Sequence, residues 1–119
     1  MKYGFIGCGN MGGALARALT KTTKDVIIAD PSPAARDFAA EVGCSYGTNE
    51  QVAQCDRIFL AVKPHIVEGA LAQLRPILAE RKPVLISMAA GVTIAQIEGW
   101  AGTELPIIRI MPNTPAAVG

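Results

Sequence analysis

Gly7-Cys8-Gly9-Asn10-Met11-Gly12 decides the reading of this chain, because these six residues lie where a short buried strand turns directly into a helix. On the near side Tyr3-Gly4-Phe5-Ile6 has the length and apolar character of such a strand. On the far side Met11, Ala14, Leu15, Ala18 and Leu19 recur at i, i+3, i+4, i+7 and i+8, which predicts one apolar helix face. A bare G-x-G-x-x-G also occurs in ordinary tight loops; the strand-turn-helix setting is what makes it a dinucleotide pyrophosphate site. In that reading Gly7 permits the tight turn, Gly9 lets backbone approach the pyrophosphate, and Gly12 lets helix and strand pack closely. The helix N-terminus then faces the phosphates with free N–H groups and the positive end of its dipole.

Working outward, strands and helices alternate with short connections. Val26-Ile27-Ile28-Ala29 predicts a second strand, followed by Asp30-Pro31-Ser32-Pro33, where Ser32 suits a helix cap and Pro33 the first helical turn. That helix is expected to carry Phe38 and Val42 inward and to close near Gly43. Cys44-Ser45-Tyr46 is a short third strand, and Thr48-Asn49-Glu50-Gln51 has capping-box spacing for a brief helix through Gln54. The apolar run Ile58 to Val62 predicts a central parallel strand covered on both faces. Pro64 opens a helix whose Ile66, Val67, Ala70, Leu71 and Leu74 keep helical spacing, and Pro76 is expected to interrupt it, with a further turn at Ile77 and Leu78. Val84 to Met88 is a fifth strand, Thr93-Ile94-Ala95-Gln96 repeats the capping-box spacing, and Ile107 to Ile110 is a sixth strand. This alternation predicts an α/β, doubly wound parallel sheet of the Rossmann, NAD(P)-binding type with order 3-2-1-4-5-6 and right-handed crossovers.

The composition narrows the partners. One domain is expected for 119 residues, residues 1–119 forming a single dinucleotide-binding unit. Half of the residues are hydrophobic and the mean hydropathy is +0.32, apolar enough to suggest a surface meant for a partner. The net charge is +1 without any Lys or Arg run, so neither nucleic acid nor an anionic membrane is expected as a partner. The longest apolar run spans five residues, too few for a bilayer. Glycines interrupt any apolar leader, and the three cysteines have neither C-x-x-C spacing nor a His cluster beside them, so a cytoplasmic location, reduced thiols and no metal site are expected. The loop Met111 to Gly119 follows the last strand without a closing element, and the chain is therefore expected to be a fragment once followed by a second domain.

In such a sheet ligands bind outside the carboxyl ends of the strands. Asp30 falls 18 residues beyond Gly12, near the acidic position that bonds a ribose 2′-hydroxyl; it equally suits a turn residue in Asp-Pro-Ser-Pro. Ser32 and Arg36 nearby suit a 2′-phosphate instead, which leaves NAD and NADP both open. Lys63, with Pro64 after strand four, is placed to meet a cofactor ribose or a substrate carboxylate. Ala89-Ala90-Gly91 after strand five would let a nicotinamide ring lie against backbone, or serve close helix packing. His65 has no carboxylate at suggestive spacing, and a surface role is expected for it. Trp100 and Met11 are expected on apolar helix faces, and Ser87 lacks the setting of a nucleophile.

Ile6-Gly7-Cys8-Gly9-Asn10-Met11-Gly12, Ala61-Val62-Lys63-Pro64, Ser87-Met88-Ala89-Ala90-Gly91-Val92-Thr93 and Arg109-Ile110-Met111-Pro112-Asn113-Thr114-Pro115 together resemble the N-terminal domain of the pyrroline-5-carboxylate reductases, in order and spacing over the whole chain. The resemblance implies reduction of the C=N bond of 1-pyrroline-5-carboxylate, a cyclic imine carboxylate, to L-proline by hydride from NADPH or NADH, the last step of proline synthesis. It implies that Ile6, Gly7, Cys8, Gly9, Asn10, Met11 and Gly12 hold the pyrophosphate, with Asp30 and Ser32 at the end of strand two. Asn49 would take the adenosine side, while Ala61, Val62, Lys63 and Pro64, with Met88, Ala89 and Ala90, would take the nicotinamide half. Asn113 and Thr114 would border nicotinamide and substrate. No metal or covalent nucleophile is implied, and a helical C-terminal domain would supply substrate contacts and a homo-oligomer. The family often has Ser, Thr or Asn where this chain has Asp30. Two other readings are a different Rossmann oxidoreductase, such as a beta-hydroxyacid dehydrogenase, and a non-catalytic dinucleotide-binding module.

Overall fold

Four interior strands of four residues each set the frame: β1 (Tyr3–Ile6), β2 (Val26–Ala29), β4 (Arg57–Leu60) and β5 (Val84–Ser87). The computed structural model describes residues 1–110. Two shorter strands, β3 (Ser45–Tyr46) and β6 (Ile107–Arg109), flank them. All neighbours are parallel and the order is β3-β2-β1-β4-β5-β6, as the sequence predicts. The connections are the helices α1 (Asn10–Leu19), α2 (Pro33–Val42), α3 (Asn49–Val52), α4 (Pro64–Arg81) and α5 (Ile94–Ala101).

Both faces of the sheet are covered, and successive strand residues divide between them. Phe5, Val26, Ile28 and Phe59 join Ala16 of α1 and Ala39 of α2 in one buried cluster. Its centre is a stacked pair, Phe5 on β1 and Phe59 on β4, which are register partners with rings 4.5 Å apart. On the other face Ile6, Ile58, Leu60 and Leu85 pack with Val52 of α3, with Val67, Leu71, Leu74 and Leu78 of α4, and with Ile97 of α5. The cap signals are realised as read: Ser32 caps α2 with Pro33 in its first turn, and Thr48 with Gln51 and Thr93 with Gln96 form complete capping boxes.

Four expectations are corrected. The buried stripe of α1 is Gly12 and Ala16, with Ala14 and Ala18 exposed and Leu15 and Leu19 only half-buried. The helix lies so close to the sheet that its smallest side chains face inward, and the longer ones flank the contact. The same holds for α2, where Ala35 and Ala39 are buried and Phe38 and Val42 half-buried. Strand β4 stops at Leu60: Ala61 still donates its amide to Ile6 O, but it and Val62 lie against Gly7 and make no further strand pairing. Pro76 does not end α4, which runs unbroken from Pro64 to Arg81. Proline in a helix interior costs about 3 kcal/mol through a lost hydrogen bond and a ring clash. Pro76 sits on the exposed face together with Ala72, whose carbonyl loses its partner, while Leu71, Leu74 and Leu78 stay fully buried. Burial of large aliphatic side chains at about 1.5–3 kcal/mol each outweighs the proline penalty.

Candidate dinucleotide site

The three glycines of the opening turn are all measured against one residue, Ala61. Gly7 leaves β1 at φ +88°, and a Cβ there would lie 2.6 Å from Cγ1 of Val62 and 2.8 Å from the carbonyl carbon and oxygen of Ala61. A Cβ on Gly12 would lie 2.7 Å from the Cβ of Ala61. Gly9 differs: its backbone is extended, and a Cβ there would meet nothing nearer than the Ala61 carbonyl oxygen at 3.9 Å. Gly7 and Gly12 therefore have packing reasons to be glycine. Gly9 has none within the described residues, and its bare backbone faces open space.

Gly9 is also the N-cap of α1, and no side chain caps that helix. The amides of the first helical turn lack intrahelical acceptors by geometry, so they are left for an external one. The rim around them is pinned by bonds that continue the sheet past its strands. Gly7 N donates to Ala29 O at 2.7 Å, Ala61 N to Ile6 O at 2.8 Å, Met88 N to Leu60 O at 3.0 Å and Ile110 N to Ser87 O at 2.9 Å.

Asp30, half-buried at the end of β2, binds two loops together. Its Oδ2 accepts from the Cys8 amide at 2.8 Å and its Oδ1 from the Ser32 amide at 2.8 Å. The bond to Ser32 is the turn role that the sequence allowed. The bond to Cys8 spans 22 residues and had no local signal. The Tyr46 hydroxyl donates to the Asp30 carbonyl, and the Arg36 guanidinium lies 5.4 Å from the Tyr46 ring centre.

A cleft of about 480 Å³ opens between α1 and α2, lined by Cys8, Gly9, Asn10, Gly13, Ser32 and Phe38 among others. Arg17 borders it, an assignment that the sequence reading missed; its guanidinium pairs with Glu41 at 2.6 Å and lies 5.1 Å from the Phe38 ring centre. The Cys8 thiol is pushed above its ordinary pKa by burial first, then by the charges of Asp30 and Cys44, so it presents a neutral group to the cleft. A second hollow of about 360 Å³, lined by Lys2, Lys24, Asp25 and Cys55 among others, lies by the amino ends of β1 and β2 and shares no residue with the glycine turn.

The remaining predicted residues are spread along the same rim. Val62 is half-buried against Gly7, Lys63 is the exposed N-cap of α4, and Pro64 is its first residue. Met88 is half-buried, Ala89 is buried with its amide donating to Ser87 Oγ at 3.3 Å, and Ala90 is exposed. Met11 is half-buried on α1, and His65 is exposed in the first turn of α4. Asn49 is not brought to the α1–α2 cleft: it opens α3, whose Val52 packs into the cluster on the opposite face of the sheet. Asn113 and Thr114 lie outside the described residues. Among the described residues no three His, Cys, Asp or Glu side chains are grouped as metal ligands, and no helix is long and apolar enough to cross a membrane.

A parallel sheet of order 3-2-1-4-5-6, with a glycine turn at the point where the strand order reverses, defines the doubly wound nucleotide-binding class of α/β proteins. The chain belongs to the family described as NADP oxidoreductase, coenzyme F420-dependent, whose model matches residues 2–91. It is 39% identical over 127 residues to the pyrroline-5-carboxylate reductase of Escherichia coli (strain K12), an alignment covering 98% of this chain and 46% of that protein. Among solved structures, the pyrroline-5-carboxylate reductase of Coxiella burnetii superposes with a TM-score of 0.85 at 36% identity, over 98% of this chain and 46% of that one. The Plasmodium falciparum pyrroline carboxylate reductase, solved with NADP bound, gives 0.78 at 35% identity, over 99% and 44%. The chain thus spans slightly less than half the length of these relatives.

Proposed function

We propose that this chain is the dinucleotide-binding domain of an enzyme that reduces 1-pyrroline-5-carboxylate to L-proline with NADPH or NADH. The observation that carries this reading is the alignment of the whole chain, at well over 30% identity, with proteins named as that reductase. The local geometry supports the cofactor half of it. Gly9 faces open space beside uncapped helical amides, which suits a pyrophosphate. Cys8, Asn10 and Ser32 line the adjoining cleft, which suits the adenosine ribose, and Ala61 to Pro64 with Met88 to Ala90 form the rim towards the nicotinamide.

When bound, the nicotinamide supplies a hydride. The part of this chain is to hold and orient it: α1 fixes the phosphates, and the pinned loops after β1, β4 and β5 form a rigid ledge. Positioning of this kind accounts for a large share of such catalysis. Substrate contacts, a homo-oligomer and the action of Asn113 and Thr114 belong to the same proposal, as does a cytoplasmic location. A polypeptide carrying this domain together with a substrate-binding part should oxidise NADPH or NADH only when pyrroline-5-carboxylate is added, and should restore growth of a proline-requiring host. Oxidation that ignores the cyclic imine, or inertness with both cofactors, overturns the reading.

A further inference from the structure

We propose that the hollow at the amino ends of β1 and β2 is a second binding site, suited to a small organic anion with a carboxylate on an apolar body. It lies at the end of the strands opposite the glycine turn, so the inference does not depend on the dinucleotide reading. Tyr3 and Val26, which line it, are register partners and the first residues of their strands. Helix α3 is a single turn, and it presses hard on β1: a Cβ on Gly4 would lie 2.5 Å from Cγ1 of Val52. The hollow opens beside this contact, lined by Gln51 and Gln54 and by the register partners Ile27 and Ser45 of β2 and β3. Its volume of about 360 Å³ falls within the range of small-molecule sites.

The polar groups left over on its rim are mostly donors. Both glutamine side chains are oriented by N–H groups elsewhere: Gln51 Oε1 accepts from Thr48 N at 2.9 Å, and Gln54 Oε1 accepts from Arg81 Nε at 2.7 Å. An N–H group can be met only by the amide oxygen, so each glutamine keeps its NH2 to donate. Lys24 Nζ gives one hydrogen to Val42 O at 3.1 Å, and an ammonium has three to give. Lys2 adds a second ammonium, and among the described residues neither lysine forms a salt bridge. Against these stands the carboxylate of Asp25, so two lysines against one aspartate leave the rim one net positive charge.

Such a rim is complemented by a group that is negative and only accepts. An ionised carboxylate is such a group, with about four acceptor positions on two oxygens. The rest of the lining calls for hydrocarbon: Val26 and Cys55 are buried and Ile27 is half-buried, so an apolar body laid against them leaves water without any loss of hydrogen bonds. An inorganic anion would use the rim and leave this surface wet.

Titration of the isotope-labelled chain with benzoate, followed through its backbone amide resonances, tests the site. The amides of Tyr3, Ile27, Ser45 and Cys55 should shift and saturate, with a Kd of about 0.1–5 mM for so small a ligand, while those of Gly7 to Gly12 stay in place. Benzamide, of the same shape but uncharged, should bind at least about tenfold more weakly, and so should inorganic phosphate. Gln51→Glu and Gln54→Glu keep the oxygen that Thr48 and Arg81 require and turn only the spare NH2 into a negative oxygen. Each should weaken benzoate about tenfold with a urea midpoint no lower than before. Asp25→Asn, which removes the opposing carboxylate, should tighten it. Lack of saturation by about 20 mM, shifts confined to the glycine turn, benzamide binding as well as benzoate, or glutamate variants that bind like the unaltered chain would each overturn the proposal.

Discussion

Gly12 of α1 and Ala61 beyond β4 meet so closely that the space for a second Cβ does not exist: one built on Gly12 would lie 2.7 Å from that of Ala61. Gly12→Ala should gain about 1 kcal/mol of helix propensity. It should lose about 1–3 kcal/mol to overpacking, so the net expectation is a less stable chain. The double variant Gly12→Ala with Ala61→Gly removes the collision and should recover most of the loss in a urea-unfolding cycle. Simple additivity of the two single changes would show that the contact is not the cause.

Gly9 should behave in the reverse manner. Its backbone is extended and its missing Cβ faces open space, so Gly9→Val should shift the urea midpoint little, glycine-to-other exchanges at an N-cap being worth a few tenths to about 1 kcal/mol. The branched side chain would stand where the pyrophosphate is expected, and nucleotide affinity should fall at least about a hundredfold. Unchanged affinity in titration calorimetry would refute the role given to this residue.

Pro76→Ala should stabilise the chain. Alanine restores the hydrogen bond to the Ala72 carbonyl and removes the ring clash, worth about 3 kcal/mol in a helix interior. Part of this is offset by about 0.4–1 kcal/mol because the unfolded chain regains freedom. A net gain of about 2–2.6 kcal/mol should appear as a rise of several degrees in the calorimetric midpoint. A midpoint that falls would mean that the Pro76 ring itself is needed for the fit of Leu74 and Leu78.

The thiols predict how stability responds to alkali. Burial raises the pKa of Cys55 and of Cys44, and burial with the Asp30 charge raises that of Cys8. A group whose pKa is higher folded than unfolded stabilises the fold fully below the unfolded value, and that stability is lost as pH rises from there through the folded value. Unfolding midpoints should therefore decline above about pH 8.5, the ordinary thiol pKa. Cys55→Ala should lower stability at neutral pH by creating a small cavity but should flatten the alkaline slope. A slope identical to that of the unaltered chain would remove Cys55 from the account.

The sequence makes most of the architecture legible because its signals are local. Thr48 with Gln51 and Thr93 with Gln96 close their capping boxes over three residues, and the apolar run at 26–29 is bounded by Asp25 on one side and Asp30-Pro31 on the other. Long-range packing escapes such reading. The inward face of α1 is set by the distance to Ala61, and the end of β4 by Gly7, each a contact between segments far apart in sequence. Hydrophobic periodicity selected Met11, Ala14, Leu15, Ala18 and Leu19 on α1 and Phe38 and Val42 on α2, where the structure buries Gly12 and Ala16, and Ala35 and Ala39. At the candidate site the glycine turn and Asp30 are readable from spacing. The bridge from Asp30 to Cys8 and the place of Arg17 beside the cleft need the folded chain.

Trp100, the single tryptophan, packs against the cluster formed with α4, on the face of the sheet opposite the cleft between α1 and α2. Its intrinsic emission is therefore a gauge of how the α4–α5 side is packed, screened from the cleft by the sheet itself. Nucleotide fluorescence can report occupancy at one face while indole fluorescence reports integrity at the other, so loss of ligand and loss of fold can be told apart optically in one cuvette.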